Sequence, residues 1–338
     1  MSTSALVQPP HSIVSSTLHK LRSHRREVHN DERRFATTAD AYFQEHNHIP
    51  RPKIMHAQFE NLMKLDSRTV GYGTNINDNT RGGDETKGVL VIGDVHGCLD
   101  ELKHLVQTSV TEHNNGVPFD SVVLVGDLCN KGPKSAEVIR FVRRQKHWFT
   151  VRGNHDNGAL AAALGDERRG KERTYSWIKN NSNGDNGRET LTDEDIEWLA
   201  SLPYTITIPA RYFDGVKLAQ GLEEDVIVVH AGLVPDVQLQ LQEIQTMTTI
   251  RELKGEENSQ RGRNENSNQV STEPWGKVWS GPQHVIFGHD AKRRLQIHDH
   301  ATGLDTGACY GGQLTGIILP GKTLVSVDAE KIHCPIKT

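Results

Sequence analysis

Residues 88–97, GVLVIGDVHG, decide how this chain is read. An unbroken apolar run, too short for a helix, stops at Gly-Asp. A strand buried on both faces does this where it meets a polar loop. The pattern then repeats in SVVLVGD (121–127), HWFTVRGNHD (147–156), DVIVVHAGL (225–233) and HVIFGHD (284–290). Between the first three runs lie stretches with helical spacing, at 99–113 (Leu99, Leu102, Leu105, Val106) and 134–147. Short apolar strands alternating with helices predict βαβ units and a sheet rich in parallel pairs. Sheets of that kind place their sites at the carboxyl ends of strands. Segment 156–200 reads as helical with a polar break at 180–188, and 314–319 and 324–327 read as two further strands.

The surroundings of these strands bound the class. The chain has 338 residues with 39 Lys+Arg and 43 Asp+Glu, a net charge of −4. At 24% charged and 35% hydrophobic it is neither a wholly disordered chain nor a fibre. It has no global basic field of the kind that marks nucleic-acid binders. No apolar run reaches the roughly 18 residues that a membrane helix needs. The N-terminus lacks the apolar block of a secretory signal, so a cytoplasmic or nuclear location is expected. Residues 1–85 are polar, and 71–87 (GYGTNINDNTRGGDETK) reads as a linker. The expected organisation is an extension over 1–85, partly helical or flexible, and a main domain over 86–330 with a flexible insertion at 254–272. The basic stretch 19–34 is either a solvated helix face or an arm for RNA or a partner. Cys98, Cys129, Cys309 and Cys334 match no CxxC spacing, and reduced thiols are expected.

The strand ends carry Asp94, His96, Asp127, Asn154, His155, Asp156, His230, His289 and Asp290. Carboxylate, imidazole and amide oxygen together suit a divalent cation such as Mn, Fe, Zn or Co. One shared carboxylate can set two such ions about 3.5–4 Å apart, as in two-metal hydrolases. Strand alternation predicts that Asp94 and His96 face the same side. Each motif alone has a plain reading: a tight turn with an Asp cap, an Asn-capped turn, a satisfied core histidine. Five together, each at the end of an apolar strand, point to a metal centre.

The set GDVHG, GDLCNKGP, GNHD, VHAG and FGHD resembles the calcineurin-like metallophosphoesterase superfamily. Within it the chain resembles the ApaH-like phosphatase group, related to bacterial diadenosine tetraphosphatases and more distantly to Ser/Thr phosphoprotein phosphatases. The resemblance runs from about 88 to 328 and includes LDTGACYGGQLTGIIL at 304–319. It implies an α/β fold, a four-layer αββα sandwich of two mixed sheets flanked by helices. It implies two divalent metal ions, with Asp94, His96 and Asp127 at the first, Asp127 bridging, and Asn154, His230 and His289 completing the second. It places His155 as general acid and Lys131 where the family carries a phosphate-binding Arg. The substrates it implies are phosphorylated polyanions or nucleotides: polyphosphate, dinucleoside polyphosphate or a capped RNA 5′ end.

The second motif departs from the protein phosphatases, which resemble GDxVDRG where this chain has GDLCNKG. Asn130 replaces the Asp that would pair with the catalytic His, and Lys131 replaces the Arg. Asn130 orients His155 without adding charge, so it supports the protonated imidazole less than a carboxylate would. A serine alkoxide leaving group needs that proton more than a phosphate does. Lys131 neutralises charge but lacks the planar clasp of Arg. Both changes favour phosphoanhydride hydrolysis over phosphoserine hydrolysis, unless Asp156 or Asp290 supplies the missing carboxylate. The alternatives are a Ser/Thr phosphoprotein phosphatase and an inactive metal-binding scaffold. Arg251 and Tyr310 are candidate substrate contacts, and Arg293 and Arg294 candidates for the cleft mouth. Arg152 is a candidate ion-pair residue. Cys129 is either a redox-sensitive thiol or a small buried hydrophobe. PGKT at 320–323 is not expected to form a phosphate-binding loop.

Overall fold

The computed structural model describes residues 39–68, 88–171, 173–178, 191–216, 222–254 and 272–335. Among these, two mixed sheets stack face to face. The first has the order β13-β12-β2-β3-β4: β2 (Val89–Ile92), β3 (Ser121–Leu124) and β4 (Trp148–Thr150) are parallel, and β12 (Gln313–Leu319) runs antiparallel to β2 and to β13 (Thr323–Asp328). The second has the order β1-β5-β6-β9-β11-β10, with β1 (His56–Gln58), β5 (Thr205–Ile208), β6 (Val226–Val229), β9 (His284–Phe287), β10 (Gln296–Ile297) and β11 (Ala301–Gly303). Here β6, β9 and β11 are parallel.

Side-chain alternation makes the layers. Val89 and Val91 of β2, Val123 of β3, Val226 and Val228 of β6 and Ile286 of β9 fill the space between the sheets. Their neighbours Leu90, Ile92, Val122 and Leu124 turn outward onto the helices Leu99–His113 and Ser135–Arg144. On the far side, Ile227, Val229, Val285 and Phe287 meet Met247, Trp275 and Trp279. The four strands with these residues are buried along their whole length. This is the helix–sheet–sheet–helix sandwich, and all five strands read from the apolar runs are present.

The structure adds what local pattern did not show. Within the segment read as an extension, residues 39–45 are helical, β1 pairs in parallel with β5, and Phe59 is fully buried. The described part of that segment is therefore built into the second sheet. The basic stretch 19–34, the linker 71–87 and the polar break 180–188 lie outside the described residues. So do 255–271 of the predicted insertion, whose flanks β7 (Glu252–Lys254) and β8 (Thr272–Pro274) pair antiparallel. The helical insertion holds Asn154–Ala163, Glu167–Lys171, a 3-10 turn at Arg173–Ile178, and Asp193–Ser201. Thr192 caps the last helix by accepting from Asp195 N at 3.2 Å. Buried Asp195 accepts from Arg140 Nε at 2.9 Å and so fastens this helix to Ser135–Arg144.

Candidate metal centre and active site

The parallel strands of both sheets end on one rim, and their loops are tied by backbone hydrogen bonds. His96 N donates to Asp127 O (2.8 Å), and Gly288 N to His230 O (2.8 Å). Asp94 and His96 lie beyond the end of β2, His96 in a turn with φ 45°. Strand alternation therefore does not set their common facing, contrary to expectation; the turn does. Asp127 (51°), Asn130 (71°), Lys131 (65°) and His289 (69°) also adopt left-handed backbone, so this rim concentrates conformations that cost free energy. Two glycines admit the carboxylates. A Cβ on Gly288 would sit 1.8 Å from Asp94 Oδ1, and one on Gly153 would sit 2.1 Å from Asp127 Oδ1.

Three histidines are oriented alike. His96 Nδ1 donates to Cys129 O (3.0 Å), His230 Nδ1 to Val125 O (2.9 Å), and His289 Nε2 to Thr249 O (3.1 Å). A carbonyl only accepts, so the proton of each neutral ring lies on that outer nitrogen. The other nitrogen turns its lone pair inward. His96 Nε2 is 3.5 Å from Asp127 Oδ2 and 3.9 Å from Asp94 Oδ2. His230 Nε2 is 3.4 Å from Asp127 Oδ1 and 3.0 Å from Asn154 Oδ1, and His289 Nδ1 is 3.0 Å from the same Asn154 oxygen. Burial lowers the pKa of all three rings, to about 4 for His230. It raises those of Asp94 and Asp127, Asp127 to about 6, and Asp305 and Asp127 raise Asp94 further.

Acceptors that face one another without a proton between them form the cradle of a cation. Anchoring the outer nitrogen to a carbonyl is what metal-binding histidines do. Ligand-distance groups form around His96, Asp127 and His155 and around Asp127, His230 and His289, with Asp127 common to both. The donor set fits two divalent cations. The structure thus brings together all six residues expected as ligands.

His155 is held by a relay that the sequence reading only half anticipated. The Trp177 indole N–H donates to Asn130 Oδ1 at 2.5 Å, and Asn130 Nδ2 lies 2.9 Å from His155 Nδ1. Indole is only a donor, so it fixes the Asn130 amide. Nδ2 then donates to His155 Nδ1, and the neutral ring carries its proton on Nε2. Burial, then Lys131 and His230, push the His155 pKa well below its usual value. Neither suggested carboxylate reaches this ring. Asp156 accepts from the backbone N–H groups of Gly153, Asp127 and Leu128 at 2.9–3.0 Å and organises the loops. Asp290 pairs with Arg293 at 2.6 Å and lies 3.7 Å from Arg251.

Lys131 Nζ donates to His96 Nε2 (2.7 Å) and lies 5.3 Å from the Tyr310 ring centroid. Burial opposes its charge, but Asp127 leads a group that outweighs burial and raises its pKa. Asp305, absent from the sequence-predicted set, is a further buried acid at this rim, and burial raises its pKa. It follows β11, a three-residue strand too short to be seen as an apolar run. A cleft of about 1180 Å³ opens here, lined by Lys131, His155, Arg251, Lys292, Arg294 and Tyr310 among others. Arg251 and Arg294 are thus on the cleft. Arg293 instead pairs with Asp290 and Glu252. Fully buried Arg152 donates to the carbonyls of Pro50 (2.8 Å) and Leu202 (3.2 Å), so it is a carbonyl clamp and not the expected ion-pair residue. Cys129 is 0% exposed, and burial followed by Asp156 raises its thiol pKa, which removes the basis for the redox reading.

The calcineurin-like phosphoesterase family model matches residues 88–293. The bis(5′-nucleosyl)-tetraphosphatase PrpE (asymmetrical) of Bacillus velezensis is 30% identical over 71% of this chain and 92% of its own length. The enzyme of the same name from Halalkalibacterium halodurans is 28% identical over 71% of this chain and 94% of its own. A solved structure of a candidate diadenosine tetraphosphatase superposes with a TM-score of 0.52 at 30% identity, covering 72% of this chain and 94% of that one. Among the described residues no helix is long and apolar enough to cross a membrane. With the sandwich, the rim of inward-facing donors and these matches in hand, the chain belongs to the calcineurin-like phosphoesterases, a family of metal-dependent hydrolases.

Proposed function

We propose that this protein hydrolyses a phosphoanhydride bond of dinucleoside polyphosphates. The observation that carries the reading is the charge of the cleft. Lys131, Arg251, Lys292 and Arg294 line it against one acid, Asp305, in a chain of net charge −4. A chain of phosphates supplies the anionic charge that such a cleft attracts. Tyr310 and Trp177 line the same cleft, and aromatic faces are surfaces on which bases stack. Kinship with PrpE-type tetraphosphatases favours a dinucleotide over inorganic polyphosphate or a capped RNA end.

Asp94, His96 and Asp127 would hold one divalent ion, and Asp127, Asn154, His230 and His289 a second, with Asp127 shared. When bound, such ions polarise phosphoryl oxygens and lower the pKa of water. The chain's own residues do the rest. Lys131 neutralises charge on the phosphoryl group under attack. Arg251, Lys292 and Arg294 hold the remaining phosphates in the cleft. His155, kept neutral with its proton on Nε2, donates a hydrogen bond to the leaving phosphate oxygen. A phosphate leaving group is weakly basic, so a hydrogen bond from a neutral imidazole suffices where a serine alkoxide would demand full proton transfer.

The test is incubation of Mn-loaded protein with diadenosine tetraphosphate and chromatography of the products. ATP and AMP in equal amounts are expected from asymmetric cleavage. Hydrolysis of a phosphopeptide without cleavage of the dinucleotide would overturn the reading. Asn130→Asp, which places a carboxylate beside His155, is expected to raise phosphomonoester turnover relative to anhydride turnover.

A further inference from the structure

A second group of donors stands beside the phosphatase centre, at the start of the helix that follows His96. Cys98 caps the helix Leu99–His113 by position, yet its side chain makes no cap hydrogen bond. Its sulfur has one weak contact, to His96 O at 3.8 Å. Glu101 stands three residues on, in the first turn of the same helix, on the same face. His333 arrives from the segment after β13. Its backbone N–H and that of Cys334 both donate to Cys309 O, at 3.1 and 2.8 Å. His333 Nε2 lies 2.9 Å from Glu101 Oε1.

Two observations mark this group as a ligand site. One donor atom from each of Cys98, Glu101 and His333 lies within 4.8 Å of the others. The two donors on the helix are buried, with Cys98 0% and Glu101 3% exposed. The two hydrogen bonds to the Glu101 carboxylate, from Glu330 N and His333, both go to Oε1.

We propose that Cys98, Glu101 and His333 bind a divalent cation of zinc type. Thiolate, imidazole and carboxylate together are the ligands of zinc, and neither magnesium nor calcium takes sulfur. Tetrahedral bonds of about 2.0–2.3 Å set ligand atoms about 3.3–3.7 Å apart, so side-chain shifts of about 1 Å fit these donors, now within 4.8 Å of one another, to one ion. The ion fastens the C-terminal segment to the helix that follows the Asp94–His96 loop. His333 and Cys334 also line the cleft beside Lys131 and Tyr310, so the clasp fixes one wall of the substrate site.

Cobalt(II) reports this site separately, because the donors at the phosphatase centre are Asp, His and Asn. A thiolate–cobalt charge-transfer band is expected in the full-length protein loaded with Co²⁺. The band persists in Asp127→Asn and disappears in Cys98→Ser, with a loss of about one bound ion per chain. In His333→Gln, a change near the chain end, cobalt affinity at this site falls at least about tenfold. Bound cobalt without a thiolate band overturns the proposal, as does a band that survives Cys98→Ser. If Cys98→Ser does not fold, an unaltered band in His333→Gln overturns it. Absence of hydrolytic activity leaves all these readouts intact, so failure of the substrate assignment is distinguishable from failure of the clasp.

Discussion

The space between the two sheets and the rim where their strands end are equally buried and are built on opposite rules. Between the sheets, Val89, Val91, Val123, Val226, Val228 and Ile286 are all 0% exposed and alternate cleanly with outward neighbours. Every residue there agrees with the fold. At the rim, Asp94, His96, Asp127, His230 and Asp305 are 0–4% exposed, yet they are polar, and the acids are crowded together. Left-handed backbone recurs there. The contrast shows a division of labour. Apolar packing holds the strand ends in place, and the rim uses that support, with hydrogen bonds from His289 N to Asp94 and from His155 N to Asp127, to keep donors aimed at one another.

The largest effect expected from breaking this division is at the rim. Asp127→Asn should cut hydrolysis about 10³-fold, since a cation's transition-state stabilisation is worth several kcal/mol. It relieves repulsion between buried acids, so a thermal scan of the metal-free protein should show no loss of stability. Full activity in initial-rate assays would refute a shared Asp127. Next, Ile286→Ala attacks the core and should do the reverse. A denaturant titration should show about 3 kcal/mol lost, with the rate per folded molecule preserved. Reduced turnover in fully folded Ile286→Ala protein would show that core and rim are not separable.

A third test probes a buried imidazole away from the rim. His284 accompanies Thr302 Oγ1 (2.9 Å), and burial, then Lys322 and His300, lower its pKa to about 4. Below about pH 6.5 the unfolded imidazole takes a proton that the folded one refuses until about pH 4. Stability present above pH 6.5 is therefore lost as pH falls through that window, by up to about 3 kcal/mol. Unfolding free energies at pH 7 and pH 4.5 should diverge less in His284→Gln than in the parent. An equal divergence would assign the acid sensitivity elsewhere. The smallest expected effect sharpens the role of the relay. Trp177→Phe removes only the N–H that fixes Asn130. About 1.4 kcal/mol, or tenfold in kcat, is expected with KM little changed. A shift in KM alone would make Trp177 a wall of the cleft and not a positioning residue.

Much of the fold was legible because its central strands are buried on both faces, so each is a continuous apolar run with a polar stop. The six residues proposed as ligands stand out in the sequence for the same reason, each lying at or just beyond such a stop. β1 and β5 were not recognised, and β1 is three residues long and pairs with a strand about 150 positions away. Asp305 escaped because β11 is short. Trp177 escaped because a lone tryptophan in a polar insertion carries no periodic signal. The sequence offers Asp156 as a partner of His155, but its role depends on which backbone N–H groups the folded loops turn toward it.

From the order of residues alone came the strand ends, the chemistry of the donors and the substitution of Asn130 for a carboxylate. These are local facts, set by side-chain type and by where an apolar run stops. Only the tertiary structure decided that the rims of two sheets meet, which nitrogen of each histidine faces inward, that Trp177 sets the Asn130 amide, and that Cys98 and His333 are neighbours. Those depend on pairings between residues far apart in the chain, and hydrogen-bond direction at a shared carbonyl or indole exists only once both partners are in place.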